Sequence, residues 1–423
     1  MSREEIDIGG KSRLVIMPVA TLLMSVGLLV LGNGLQSTLL VVRAGHEGFS
    51  SETIGIMMSA YFAGYALGSL FLPRVVASAG HIRTFASFAS IASAVALLHL
   101  LLLDAWGWIL LRAVTGFAYA GMILVTERWL NAHAVAATRG RLLSLYGMVT
   151  MGIWALGQGL LNVAPPEGVV LFLIVSVLIS IALVPVTLLP SQPPTVSGEA
   201  RLGLRRLFGI SPLGTCGVFV GGLALGGFWG MGPNFAQEVG LDTAGIALFM
   251  AAVLFGALVL QWPLGWLSDR HPRRLVIAGA SLAAALAGSG LALCTGAGLT
   301  VLLPLGFLFG GFGIPLYTLC VAHANDRLMA DETLAAARSL LLLNGIGAAF
   351  GPFAASLAMI WFGPGGLFLY SAFLLMLLMA AALLRGLQGP EEEASPTPLP
   401  CTPQIAMTLD TRGRDRWGDS SDG

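Results

Sequence analysis

Two ionisable residues, Arg112 and Glu127, lie within and just beyond one apolar run of the sequence. At 100° and 1.5 Å per residue, a helix would place them about 60° apart around its axis and about 22 Å apart along it. They would therefore share one helix face without pairing directly. Such a face could bind an anionic group at the guanidinium and take up a proton at the carboxylate. Tyr119, with Thr115 and Thr126, falls close to the same face.

Both charged residues also have a structural interpretation. A charge inside a membrane helix is costly and usually faces a cavity, but Arg112 could instead donate hydrogen bonds to backbone carbonyls. Glu127 could form an interfacial salt bridge with Arg128 or Arg141. The sequence leaves these alternatives open.

Amide and aromatic side chains occur in two further apolar runs. The first run contains Asn33 and Gln36 among glycines, and the seventh contains Trp229, Asn234 and Gln237 around a Gly-Pro pair. Both runs are typical of broken or bent helices that offer amide groups to an interior. Weaker candidates, for which an interhelical hydrogen bond is an equal alternative, are Tyr61, Gln261, Tyr317 and Asn344.

Twelve apolar runs position these residues. They cover 14–42, 54–79, 85–103, 106–125, 142–162, 169–189, 213–237, 244–267, 275–293, 299–321, 334–362 and 367–384. Each is long enough, or nearly so, to cross about 30 Å of hydrocarbon as a helix of about 20 residues. The chain is 56% hydrophobic and only 10% charged, whereas soluble domains are about 25% charged. We predict an all-α polytopic protein with twelve transmembrane helices in the lipid bilayer.

The arginines between the runs lie almost entirely on one side of the predicted membrane. On that side are Arg83, Arg139, Arg141, Arg270, Arg273, Arg274 and Arg327, whereas the opposite connections contain only Arg43. Positively charged loops remain cytoplasmic, so both termini are predicted to lie in the cytoplasm and the protein in the inner (cytoplasmic) membrane. The arginines form no continuous stripe, so nucleic-acid binding is not indicated.

A polar segment divides the runs into two sets of six. Residues 190–212, rich in proline and then arginine, are predicted to be a flexible cytoplasmic linker between bundles at 1–189 and 213–385. The tail 386–423 is predicted to be disordered, because it cannot bury enough apolar surface to fold.

Related features recur at a nearly constant offset. Gly80 and Pro272 are 192 residues apart, and Gly157 and Gly351 are 194 apart. A constant offset is expected of a duplicated six-helix unit.

The connection after the eighth run reads Gly265-Trp-Leu-Ser-Asp269-Arg270-His271-Pro272-Arg273-Arg274. It resembles the loop signature of the major facilitator superfamily, G-x-x-x-D-R-x-G-R-R, with proline where glycine is usual. The first-half copy retains Gly80 and Arg83. These residues are predicted to form a loop latch, whose charge-assisted hydrogen bonds would hold one conformation and break in the other.

Helix motifs extend the resemblance. Arg112-Ala-Val-Thr-Gly116 is similar to the family motif R-x-x-x-G, and Gly347-x-x-x-Gly351-Pro352 to G-x-x-x-G-P, whereas Gly157-Gln158 lacks the corresponding proline. These glycines are predicted to let helices approach closely. Tyr61-Phe-Ala-Gly, Glu127 and Gln261-Trp-Pro-Leu-Gly265 resemble the YcaD-type bacterial branch.

The resemblance covers about residues 14–385 and implies two pseudo-symmetric six-helix bundles around a central cavity. It implies secondary transport by alternating access. The arginine, the glutamate and the amide and aromatic side chains indicate a small organic solute and not a metal ion. Proton coupling at Glu127 is our hypothesis, with a non-transporting membrane sensor or scaffold as the alternative. The sequence contains no P-loop, H-E-x-x-H or G-x-S-x-G motif, so we predict no primary pump, no enzyme, no cofactor and no metal site. We expect a monomer.

Overall fold

The computed structural model describes residues 3–133, 139–188, 202–329 and 332–386, which form α-helices and connections without a β-strand. The first-half helices are α1 (Arg3–His46), α2 (Ser51–Ala79), α3 (His81–Leu101), α4 (Ala105–His133), α5 (Arg139–Gly159) and α6 (Val170–Thr187). A short helix follows, α7 (Leu204–Ile210). The second-half helices are α8 (Pro212–Glu238), α9 (Thr243–Arg270), α10 (Arg273–Leu293), α11 (Leu299–Gly313), α12 (Leu316–Asn325), α13 (Thr333–Phe362) and α14 (Gly366–Gly386).

Eleven segments of the described chain are long and apolar enough to cross a membrane. The remaining long helix, α5, corresponds to the fifth of the twelve predicted runs. The tenth predicted run differs from a single helix, because it divides into α11 and α12 at Ile314–Pro315. Pro315 has no N–H to continue the helical hydrogen-bond ladder. By contrast, α1 and α8 are continuous helices through their glycine-rich segments, so they are not broken as the sequence had allowed.

Helix boundaries repeat along the chain at the predicted offset. The starts of α9 and α10 lie 192 residues after those of α2 and α3, and the starts of α11 and α13 lie 194 residues after those of α4 and α5. The two halves are therefore copies of one helical arrangement.

The closest helix crossings repeat as well. A Cβ atom at Gly116 would overlap the carbonyl oxygen of Tyr61 on α2, and one at Gly310 would overlap that of Val253 on α9. Because Gly116 and Gly310 are 194 residues apart and Tyr61 and Val253 are 192 apart, these are the same contact in both halves. Only glycine permits this approach of two backbones.

A second repeated crossing joins α1 to α5 and α8 to α13. A Cβ atom at Gly157 would lie 2.7 Å from the Leu31 carbonyl oxygen, and one at Gly351 would lie 2.5 Å from that of Leu223. Gly347 packs in the same way against the Phe219 carbonyl oxygen, at 2.5 Å. The glycines singled out by the helix motifs thus lie at close helix contacts.

The connections at the arginine-rich end differ between the halves. Gly80 ends α2 with φ of 85°, a conformation that favours glycine. Its counterpart Pro272 precedes α10 with φ of −52° and ψ of 117°, an extended conformation suited to proline. Pro272, which replaces the usual glycine of the family loop signature, therefore fits a turn that needs no positive φ.

The described part of the predicted linker is ordered against α13. The backbone N–H of Leu202 donates to the Ala335 carbonyl at 3.4 Å, and the Ser339 hydroxyl donates to the Leu202 carbonyl at 2.7 Å. Arg206 of α7 forms an ion pair with Glu332. Residues 202–211 are therefore not a flexible linker. The rest of the predicted linker, up to residue 201, lies outside the described residues, as does the tail from 387 onward, which was predicted to be disordered.

Candidate functional site

Arg112 is a buried cation that forms no ion pair with any described residue. It lies on α4, about 10 Å from the helix start at 1.5 Å per residue, and its side chain is 0% exposed. The guanidinium carbon is 4.2 Å from the centre of the Tyr61 ring, and Nη2 contacts the Met58 sulfur at 3.6 Å. Its Nε and Nη1 atoms have no hydrogen-bond partner in the described chain. Tyr119 is a second tyrosine in its electrostatic surroundings.

Further polar atoms without described partners lie on the adjacent helices. Tyr61 Oη donates to Asn33 Oδ1 on α1 at 3.3 Å. One turn along α1, Gln36 is 1% exposed and neither of its amide atoms is paired. The Tyr119 hydroxyl, two turns along α4 from Arg112, is also buried and unpaired. Buried polar atoms without partners are costly, so their occurrence together is typical of a binding site.

The equivalent positions in the second half are apolar. Residues offset by 192 or 194 from Gln36, Tyr61 and Arg112 are Phe228, Val253 and Gly306. Phe228 packs within a buried aromatic cluster with Phe235, Phe249, Phe309 and Phe368, whose ring centroids lie 4.7–6.4 Å apart. A Cβ atom at Gly306 would lie 2.9 Å from the Phe249 ring. An aromatic ring therefore fills the space next to the position that corresponds to Arg112.

A tryptophan pair joins the halves beside the polar site. Trp154 of α5 stacks on Trp229 of α8, with ring centroids 4.6 Å apart and planes 23° apart. A Cβ atom at Gly34 of α1 would lie 2.6 Å from the Trp154 ring, so the pair adjoins the segment that contains Asn33 and Gln36. Trp229 was predicted from the sequence. Trp154 was missed, because a lone tryptophan in an apolar run has no distinguishing pattern.

Glu127 is buried near the arginine-rich end of α4. It is 3% exposed, and its electrostatic neighbours include Tyr65 of α2 and Tyr146 of α5. The residue lies about 9 Å from the helix end at 1.5 Å per residue. Arg141, one partner considered in the salt-bridge alternative, has a side chain outside the described residues. A carboxyl group between two tyrosines can exchange a proton and change its hydrogen bonds with its charge.

A hydrogen-bond cluster of Ser51, Asn234 and Glu238 connects the halves at the end opposite the arginines. Ser51 Oγ donates to Glu238 Oε1 at 2.6 Å, and Asn234 Nδ2 donates to the same carboxylate oxygen at 2.8 Å. Asn234 Nδ2 is also 3.1 Å from Ser51 Oγ. Asn234 therefore lies in this Ser51–Glu238 cluster and not beside Arg112.

The contact between the halves extends inward from that cluster. Gln237 Nε2 donates to the Val42 carbonyl at 3.3 Å, which places this predicted site residue at the same end of the molecule. The Phe353 backbone N–H of α13 donates to Ser59 Oγ of α2 at 3.1 Å. A Cβ atom at Gly345 would lie 3.8 Å from that of Ala66, about 22 Å along α2 from its start. The halves thus meet from this end to about the middle of the bundle.

The contacts of the predicted loop latch lie within the second half. Arg273 Nε is 2.6 Å from Asp326 Oδ2, Nη1 donates to Ser268 Oγ at 3.1 Å, and Nη2 is 3.4 Å from Asp269. Asp269 is 70% exposed, and Arg270 lies over the Trp266 ring at 3.9 Å. Asp326 was missed by sequence reasoning, because it lies 53 residues from Arg273. Partial burial raises the pKa of its carboxyl group, and the charge of Arg273 opposes this shift.

The remaining latch residues make no described contact with the other half. Arg83 is exposed, and a Cβ atom at Gly265 would meet nothing within 4 Å. Arg274 is partly buried with Nη1 unpaired in the described chain. The described ion pairs of Arg273, with Asp269 and Asp326, lie within the second half. Among all the residues that the structure describes, no group of three or more His, Cys, Asp or Glu side chains could hold a metal ion.

Comparison with known proteins connects this geometry to a family. The profile of the Major Facilitator Superfamily matches residues 22–330 and 214–412. An uncharacterised MFS-type transporter YcaD of Escherichia fergusonii is 30% identical over 376 residues, covering 86% of this chain and 96% of the relative. Two solved structures share the fold. The nucleoside transporter NupG has a TM-score of 0.71 at 15% identity, covering 87% of this chain and 98% of its own.

The second structure is a bacterial homologue of the human lysosomal transporter Spinster, in an inward-facing and occupied conformation. Its TM-score is 0.64 at 16% identity, and the match covers 88% of this chain and 94% of that one. The predicted family, twelve-helix fold and absence of enzyme character are confirmed by these matches. The chain belongs to the Major Facilitator Superfamily of multi-pass membrane transporters and is similar to its YcaD-type members.

Proposed function

We propose that this transporter moves a small organic solute across the cytoplasmic membrane by secondary active transport, with α1–α6 and α8–α14 rocking against each other. The carrying observation is the set of polar atoms without described partners around Arg112, beside the contacts that join the halves at the end opposite the arginines. A site between two rocking repeats is the general plan of alternating access. In this proposal, residues 1–189 and 213–385 form the two moving bundles, 190–212 the linker, and the protein acts as a monomer.

Orientation follows from the arginines. The Arg83, Arg270, Arg273 and Arg274 end would be cytoplasmic, together with both termini. The Ser51–Glu238 cluster would then close the outer side, and the conformation described here would be open toward the cytoplasm. The loop latch would form its contacts between halves in the opposite conformation.

Proton coupling at Glu127 is the second element of the proposal. Removing water from around a carboxyl group favours its protonated form, and renewed contact with water favours release. Tyr65 and Tyr146 could exchange hydrogen bonds with either form. Burial of Glu127 on the same helix as Arg112 supports this assignment, since a tilt of α4 would change the surroundings of both residues together.

Reconstitution is the test of this function. The purified protein in liposomes should accumulate at least one solute of a metabolite and drug panel when a pH gradient is imposed, and collapse of the gradient by a protonophore should remove the accumulation. Liposomes without protein provide the control. Flux that is absent for every solute under every gradient would overturn the proposal and favour a sensor or scaffold.

A further inference from the structure

We propose that the solute is a singly charged organic carboxylate with a planar or aromatic body, bound by Arg112 in the first half. This inference rests on the proposed transport function and adds the chemical class of the substrate. The evidence is the contacts of the described residues and their donors and acceptors without a described partner. The equivalent positions of the second half provide a comparison within the same molecule.

The first argument is charge balance. A cation buried away from water is unfavourable unless an anion or hydrogen-bond acceptors compensate it. Among the described residues, Arg112 contacts the face of Tyr61 and the Met58 sulfur, and its Nε and Nη1 donors have no partner there. A carboxylate would accept charge-assisted hydrogen bonds from these donors. One buried positive charge matches one negative charge, so a doubly charged phosphate would leave an excess of charge in a dry site.

The second argument concerns the neighbouring dipoles. Gln36 and the Tyr119 hydroxyl supply both donors and an acceptor, and none of these atoms is paired in the described chain. A carboxylate only accepts hydrogen bonds, so it can pair with the donors of these side chains but not with an acceptor. The Gln36 carbonyl oxygen therefore has a further partner to satisfy, such as a hydroxyl or amine N–H on the body of the solute. This distinguishes an organic anion from chloride or another simple inorganic anion.

The third argument is the shape of the adjoining surface. The Trp154–Trp229 pair bridges the halves next to Gly34, two residues before Gln36. Stacked aromatic side chains favour flat apolar groups. Because one tryptophan belongs to each half, a solute ring against this pair would contact both halves while its carboxylate contacts only the first.

The comparison with the second half argues against a purely architectural role for Arg112. The same backbone crossing exists around Gly306, with glycine at the position of the arginine and Phe228 at that of Gln36. The crossing therefore forms without charged or amide groups. In the first half, the Arg112 guanidinium and the Gln36 amide have atoms without a described partner. This is expected of residues that bind a ligand.

The experiment uses the purified full-length protein and matched acid–amide probe pairs, for example benzoate with benzamide and indole-3-acetate with its amide. We expect one or more acids to raise Tm, while each paired amide binds at least roughly tenfold more weakly, as the loss of a charged hydrogen bond requires. Arg112→Gln should abolish the acid-specific shift. The matched control is Arg74→Gln, an exposed arginine on α2, which should retain it.

A second readout does not need the correct probe. Removing an unpaired buried charge relieves its desolvation cost, so Arg112→Met should raise Tm of the ligand-free protein, whereas a structurally paired arginine would lower it. A lowered Tm, equal binding of acids and amides, or an acid panel without any binder would each overturn the carboxylate assignment. If the protein accumulates a neutral or cationic solute in liposomes, the transport proposal stands and this inference alone fails.

Discussion

The helix pairs α2–α4 and α9–α11 cross in the same way, but the side chains beside the two crossings differ in polarity. Gly116 meets the Tyr61 carbonyl in the first pair, and Gly310 meets the Val253 carbonyl in the second. Beside the first crossing lies the cation of Arg112, and beside the second lies a cluster of five buried phenylalanines. Backbone packing has thus been retained at both crossings, while the buried charge lies beside the first crossing only.

This difference separates two tasks. A dry aromatic interior keeps its packing without a ligand, since its stabilisation comes from burial and ring contacts. An interior with unpaired polar atoms is stable only at a cost, which a bound ligand offsets. We infer that the second half is the more rigid partner and that the first half contains the chemistry of transport.

The largest expected effect comes from placing the first-half charge in the second half. Gly306→Arg would bury a cation against the Phe249 ring. The cost is several kcal/mol, a large fraction of the free energy of unfolding of about 5–15 kcal/mol that most domains have. The yield of monodisperse protein in size-exclusion chromatography should collapse. The control is Gly279→Arg, at an exposed position near the start of α10, where the long side chain can reach the interface. A normal yield for Gly306→Arg would show that the second half tolerates charge as well as the first.

The next largest effect concerns coupling. Glu127→Gln mimics the protonated carboxyl, and the counterpart of Glu127 in the second half is Val321, which cannot replace it. We expect the variant to lose accumulation driven by a pH gradient and to retain solute exchange between equal pools. Proteoliposome uptake and counterflow with the solute identified by reconstitution are the two measurements. Glu52→Gln, at an exposed residue of α2, is the control.

Accumulation by Glu127→Gln that still follows the pH gradient as the wild type does would remove Glu127 from the coupling step. Loss of exchange together with accumulation would indicate a structural role, as in the salt-bridge alternative.

A smaller effect is expected at the end where the halves meet. Glu238→Gln weakens two hydrogen bonds to one carboxylate oxygen, and charge-assisted bonds are worth about 1.5–3 kcal/mol when buried. Because Glu238 is exposed, we expect the lower end, a shift of roughly tenfold toward opening at this end. Maleimide labelling of Ser59→Cys in a cysteine-free background should accelerate by that factor. Unchanged labelling in Glu238→Gln would mean that apolar contacts alone close this end.

The smallest effect concerns the loop latch. Asp269 is mostly exposed and contacts Arg273 at 3.4 Å, so this pair contributes below about 1 kcal/mol in the conformation described. Asp269→Asn should lower the transport rate a few-fold without changing membrane insertion, because the latch would act in the opposite conformation. Asp326→Asn, which removes the negative charge 2.6 Å from Arg273 Nε, should also lower Tm. A normal rate in Asp269→Asn would exclude the latch.

Sequence reasoning reached the fold because its signals are local. Apolar runs, glycine spacing and a constant offset each depend on residues close in the chain or on a simple repeat, and the helix boundaries follow them. The division between α11 and α12 was missed, because a proline within an apolar run is compatible with either a kink or a break.

The site was only partly predictable, since partners on different helices are decided by packing. Arg112 could be recognised as a charge among apolar residues, but its lack of an acidic partner required the structure. Asn234 and Gln237 have the residue types of an interior site, and the structure brings them to Glu238 and Val42 at the end of the bundle. Their amides would serve equally at either location, so composition could not distinguish the two.

Reversible cross-linking of the closed end tests alternating access most directly. Ser51→Cys and Glu238→Cys, in a background with all native cysteines replaced by serine, would be bridged by a short bis-methanethiosulfonate reagent and assayed for solute flux in proteoliposomes. We predict that bridging stops transport, that reduction restores it, and that each single-cysteine variant is insensitive to the reagent. Undiminished flux through the fully bridged protein would contradict the account, because the solute would then cross without separation of the halves at this end.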